Sequence, residues 1–155
     1  MKWKQILLLI ANLIQKHFGV LETLRKPTST EEIDIVHLRN VLHAQYPEAQ
    51  VYLSDKTYKL CSPADIRYFL KQDKTNRMKY VSEWWDCDDA SYRLLGQFSV
   101  PAWSSLAFGI VWTNVHALNC MVGTDGKLYF IEPQSDKIQE KLEAWQGTKV
   151  RFFMV

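Results

Sequence analysis

Cys87 stands in the run Trp85-Asp86-Cys87-Asp88-Asp89-Ala90-Ser91-Tyr92. A thiol attacks only as its thiolate, so its surroundings decide whether it can act. The run reads as a helix start with Asp86 as N-cap, and unpaired N–H groups at a helix start favour a thiolate. The neighbouring carboxylates of Asp86, Asp88 and Asp89 act the other way, because negative charge raises a thiol pKa. Two later segments bear on that conflict: Val115-His116-Ala117-Leu118-Asn119 and Phe130-Ile131-Glu132-Pro133-Gln134-Ser135-Asp136. The imidazole of His116 can take a thiol proton, and the carboxylate of Glu132 can orient that imidazole. The spacing alone is not distinctive, since most chains of this size hold some Cys, His and Glu. Each residue also has an ordinary reading. Cys87 can be a packed thiol, His116 a satisfied sheet residue and Glu132 the charged end of a strand. Asp88 and Asp89 can be helix-start charges matched to the dipole.

The elements that must position these residues follow from patterning. Residues 3–18 read as an apolar helix stopped by Gly19. Lys26-Pro27-Thr28-Ser29-Thr30 is a linker. Thr30 is placed to cap a helix from Glu31 through residue 44. Residues 49–61 mix short β-like pieces with a turn. Ser62-Pro63 opens a helix carrying Ile66, Phe69 and Leu70, and Asp86 opens the helix of Cys87. Strands are predicted over 107–112, 115–122 and 127–131, with Asp125-Gly126 at a hairpin tip. A helix over 134–145 and a last strand over 149–155 complete the chain. The hairpin sets residues near 118 opposite those near 131, which brings His116 and Glu132 near one another. Helices first and an antiparallel meander afterwards predict an α+β fold with helices on one side of the sheet.

The chain has 155 residues, the size of one domain, with a helical part over 1–78 and a sheet part over 79–155. Nearly half the residues are apolar or aromatic, enough for a sizeable core. A net charge of +2 argues against a nucleic-acid partner, which calls for a clustered basic face. Cys61, Cys87 and Cys120 are too few for a disulfide framework and fit a reducing, cytoplasmic setting. The basic, apolar start at Met1-Lys2-Trp3-Lys4 leaves export or membrane contact open as well. It lacks a small-residue cleavage site and is too short to span a bilayer.

Asp86-Cys87-Asp88-Asp89, a strand bearing His116, and Glu132-Pro133-Gln134 resemble the C-terminal papain-like domain of the Marasmius oreades agglutinin group of fungal lectins. Small phage and bacterial proteins carry the same module. The resemblance covers about residues 80–136. It implies a papain-like fold, with N-terminal helices and a C-terminal antiparallel β-sheet, and a Cys-His-Glu triad of Cys87, His116 and Glu132. It further implies a calcium or manganese ion held by Asp88, Asp89, Glu132 and Gln134; Asp136 is a possible addition by composition only. Such an ion would neutralise the carboxylates around the thiol. The sugar-binding repeats of the fungal proteins are missing, so lectin activity is not part of the expectation.

The resulting expectation is a divalent-cation-dependent thiol hydrolase, a cysteine protease acting on a peptide or protein. The alternatives are a catalytically silent binding or phage virion-associated module, and an acyltransferase or peptidoglycan-cleaving amidase using the same triad. Asp-Cys-Asp-Asp in place of Asp-Cys-Ser-Gly counts against the peptidoglycan branch.

Overall fold

The computed structural model describes residues 24–28 and 31–155. The predicted helix over 3–18, with its export or membrane role, lies outside these residues, as does Thr30. No helix among the described residues is long and apolar enough to cross a membrane.

Strand β1 (Glu32–Asp34) leads into helix α1 (Ile35–Gln45). The helix predicted from Glu31 starts later because Asp34 accepts the N–H groups of Val36 and His37, both at 2.9 Å. Strands β2 (Gln50–Tyr52) and β3 (Thr57–Lys59) follow, and β3 pairs antiparallel with β1. Helix α2 (Pro63–Gln72) opens as predicted, with Ser62 and Asp65 capping reciprocally. A 3-10 turn (Thr75–Arg77) precedes helix α3 (Cys87–Phe98). The second half is strand-rich: β4 (Phe108–Thr113), β5 (Ala117–Val122), β6 (Leu128–Glu132), β7 (Lys137–Gln139) and β8 (Val150–Met154). A 3-10 turn, Ala144–Gln146, lies between β7 and β8.

The main sheet has six strands in the order β2-β8-β4-β5-β6-β7. All pairs are antiparallel except β2 with β8. The expected register holds: Asn119 pairs with Ile131, so Glu132 falls level with Leu118, two residues from His116. The helix predicted over 134–145 does not form. Asp136 takes a left-handed conformation at φ 58°, which turns the chain back so that Lys137–Gln139 pairs with β6.

These differences correct the fold class. The described residues are mainly β-sheet with three short helices, not a helix-rich papain-like α+β arrangement. The first half supplies β1, β2 and β3 as well as helices. β2 and β3 fall within residues 49–61, read as short β-like pieces, whereas β1 lay inside the helix predicted from Glu31; three residues are too short to leave an alternating pattern. The sheet is mixed rather than antiparallel, and helices cover both faces rather than one. On one face Leu38 and Leu42 of α1 pack with Val111, Leu118, Cys120, Phe130 and Phe153. On the other, Phe69 of α2 and Leu94 and Phe98 of α3 pack with Trp103, Phe108, Met121 and Ile131. All residues of β5 and β6 are buried, as two-sided cover requires. Asn119, fully buried within β5, faces α3 and donates to the carbonyl of Ser91 at 3.1 Å. That bond fixes the helix of Cys87 against the strand that follows His116.

Candidate functional site

Cys87 is the first residue of α3, behind Asp86. The carboxylate of Asp89 accepts the Asp86 N–H at 3.2 Å, closing the helix start. The Cys87 sulfur is half-buried and receives the backbone N–H groups of Ala117 and of Cys87 itself. Burial raises the thiol pKa, the two N–H groups oppose the rise, and the carboxylates of Asp86 and Asp88 add to it. The net direction is upward, so the resting group is a thiol. Asp86 and Asp88 share a hydrogen bond, which lowers the pKa of Asp86 and raises that of Asp88, as when one proton serves both.

His116 immediately precedes Ala117, whose N–H reaches the sulfur. Its Nε2 lies 2.7 Å from Oε2 of Glu132, and only 9% of the His116 side chain and 5% of the Glu132 side chain are exposed. No hydrogen bond joins the ring to the sulfur. With Nε2 engaged, Nδ1 is the nitrogen left for a proton from Cys87.

Three residues not singled out by sequence hold this pair. Gln146 is fully buried, and its Nε2 donates to Oε2 of Glu132 at 3.2 Å. Its own Oε1 accepts from Gln139 Nε2 at 2.5 Å and from the Glu143 N–H at 2.9 Å. The Thr113 hydroxyl accepts the His116 N–H at 2.9 Å and donates to the Gln146 carbonyl at 2.6 Å. Trp145 lies against the His116 ring at 5.0 Å between centroids. Thr113 ends β4, one residue beyond the strand predicted over 107–112, so no pattern in the sequence marked this bracket. Gln146 looked like the end of a helix that does not form. Gly147 completes the bracket at φ 90°, where a Cβ would lie 2.6 Å from Asn114 Oδ1 and 2.9 Å from Thr113 Oγ1.

The four ligands expected from sequence do not appear together as one cluster among the described residues. Among the described residues the one cluster with metal-ligand geometry is Asp86, Cys87 and Asp88, whose ligand atoms lie within 4.8 Å of one another. Asp88 is the single predicted ligand in it. Glu132 is committed to His116 and Gln146, and Asp89 accepts the N–H of Asp86. Gln134 has its side-chain nitrogen buried without a partner.

No family model matches the chain, and no curated protein matches it. Solved structures do. PSL1a in complex with E64 matches with a TM-score of 0.69 at 21% identity, over 80% of this chain and 51% of that one. A Polyporus squamosus lectin bound to the human-type influenza-binding epitope Neu5Acα2-6Galβ1-4GlcNAc matches with a TM-score of 0.65 at 21% identity, over 80% of this chain and 49% of that one. The chain thus spans about half the length of these structures. At this identity the likeness establishes the fold.

These findings correct the resemblance and what was built on it. One matching structure carries a lectin's name, neither carries that of a papain-like protease, and no family model supports the assignment. The expected thiol hydrolase, its acyltransferase and amidase variants and its silent papain-like variant are withdrawn. So are the phage association and the peptide substrate; the partner bound in one matching structure is a glycan.

Proposed function

We propose that Cys87, His116 and Glu132 form a reactive-thiol site, with Cys87 as nucleophile, His116 as its proton acceptor and Glu132 as the group that orients His116. The observation that carries this reading is the buried His116–Glu132 pair at 2.7 Å, set one residue before the N–H that reaches the Cys87 sulfur. Glu132 favours the imidazolium that forms when the ring takes a proton. The helix start and the two N–H groups favour the thiolate left behind. The ligands suited to it are electrophiles small enough to reach a half-buried sulfur. No hydrolytic reaction and no peptide substrate are assigned.

The test is alkylation of the native protein with iodoacetamide, with the modified cysteine located by mass spectrometry. Cys61 and Cys120 are buried and their thiols are pushed up to about 12, so both should stay unmodified. Cys87 should react first, and His116→Ala should slow it at least tenfold. E64, present in one structure of the same fold, provides a second ligand to try. Absent labelling, or labelling of Cys87 at an unchanged rate in His116→Ala, overturns the reading.

A second reading, carbohydrate binding, is favoured by the glycan in one matching structure together with exposed indoles on this chain. Trp145 beside His116 is 58% exposed and Trp84 is 84% exposed. Aromatic faces of this kind can stack on the C–H face of a sugar ring. Titration with Neu5Acα2-6Galβ1-4GlcNAc should change tryptophan fluorescence, and Trp145→Ala should remove the change. A flat titration at millimolar glycan rejects this second reading.

A further inference from the structure

Three buried oxygens between the end of α2, the turn Thr75–Arg77 and the turn joining β6 to β7 have no hydrogen-bond partner. Asp73 is 8% exposed; its Oδ2 accepts the Thr75 N–H at 2.6 Å, while its Oδ1 is buried and unpartnered. Thr75 is 1% exposed, and its Oγ1 is buried and unpartnered. Asn76 donates from Nδ2 to Asp136 Oδ2 at 2.6 Å, which ties the second turn to the first. Asp136 Oδ1 is again buried and unpartnered. No salt bridge among the described residues reaches either carboxylate.

Such an arrangement is costly as it stands. Buried carboxylates are normally paired or bound to a metal, and a buried oxygen without a donor loses its hydration without return. The two carboxyl groups also act on one another. Burial and the charge of Asp73 raise Asp136 to about 6, against an opposing pull from Arg77. A small positive ion held between the two turns would answer these free oxygens. The donors are carboxylate and hydroxyl oxygens with no nitrogen or sulfur among them, which suits hard cations.

We propose that Asp73 Oδ1, Thr75 Oγ1 and Asp136 Oδ1 hold a hard divalent cation, magnesium or calcium, with water completing its shell. Two carboxylates and several waters are the pattern such ions adopt when the protein supplies few ligands. The site shares no residue with the Cys87 cluster, and of its ligands the sequence had marked Asp136 alone, by composition. It joins two segments far apart in the chain, 73–75 and the turn at Asp136, so its occupancy stiffens the loop that carries the chain out of Glu132.

The experiment is calorimetric titration of the chelator-treated full chain, at neutral pH, with magnesium chloride and with calcium chloride separately. One ion per chain is expected, together with a rise in melting temperature. Asp73→Asn and Asp136→Asn should each weaken binding at least tenfold. Both keep an oxygen that can accept from Thr75 or Asn76, so the ion-free fold should persist. Asp88→Asn should leave the titration unchanged. Thr75→Val should weaken binding and Thr75→Ser should not, which gives a second series without loss of charge. The proposal is overturned if neither ion binds. It is also overturned if binding survives Asp73→Asn and Asp136→Asn, or if it is lost in Asp88→Asn.

Discussion

Asp86 and Asp88 govern the charge that Cys87 experiences. Both raise its pKa, in the same direction as burial. Neutralising either should therefore lower the thiol pKa and increase the thiolate fraction at a given pH. Asp86→Asn and Asp88→Asn are expected to speed iodoacetamide alkylation of Cys87 several-fold at pH 7 to 8, measured as a pseudo-first-order rate. Slower or unchanged alkylation in both would mean that these carboxylates do not control the sulfur. Gln146 acts at one remove, as a positioning residue for Glu132. Gln146→Ala removes a buried donor from Glu132 and the acceptor used by Gln139 and Glu143. A stability loss of about 2 kcal/mol is expected by chemical denaturation. If Gln146 positions the dyad, Gln146→Glu should also shift the pH dependence of alkylation, which a purely structural role would leave in place.

At the scale of elements, the site depends on how closely backbones approach. Gly109 in β4 shows this most sharply, since a Cβ there would lie 2.1 Å from the carbonyl oxygen of Met154 in β8. That contact is with backbone, so a side-chain rotation cannot relieve it. Gly109→Ala should cost about 2 kcal/mol or more by overpacking and separate β4 from β8. A variant with wild-type stability would show that the sheet yields there. The helix starts are set by short polar side chains. Asp34→Ala removes the cap of α1 and should lower the melting temperature. The same economy explains why α1 begins at Ile35 and not at Glu31: the helical pattern extends upstream, but the cap and the pairing of β1 with β3 compete for those residues.

For the molecule as a whole, a half-buried ion pair links the segment 24–28 to the body of the fold. Arg25 Nη1 meets Asp65 Oδ1 at 2.8 Å, and Thr28 Oγ1 donates to Asp65 Oδ2 at 2.7 Å. Burial works to raise the Asp65 pKa, but the hydrogen bonds from Thr28, Arg25 and Ser62 prevail and hold it at about 2. Its folded pKa lies below the unfolded value. Its stabilisation is therefore present above the unfolded carboxylate range and is lost as pH falls from about 4 towards 2. Asp65→Asn should lower the melting temperature at pH 7 and flatten its acid dependence below pH 4. Equal acid dependence in both proteins would remove Asp65 from this role.

Local chemistry was legible in the sequence wherever one segment suffices to express it. Ser62-Pro63 and Asp86 announced two helix starts, Asp125-Gly126 announced the hairpin, and the hairpin brought His116 near Glu132. What tertiary structure alone decided was which distant groups meet. The parallel pairing of β2 with β8, the bracket of Thr113 and Gln146, and the meeting of Asp73 with Asp136 each join segments whose interaction leaves no periodic trace. Helical and strand patterns record the side that faces a core. They do not record which partner supplies that core, and a three-residue strand is too short to record even the side.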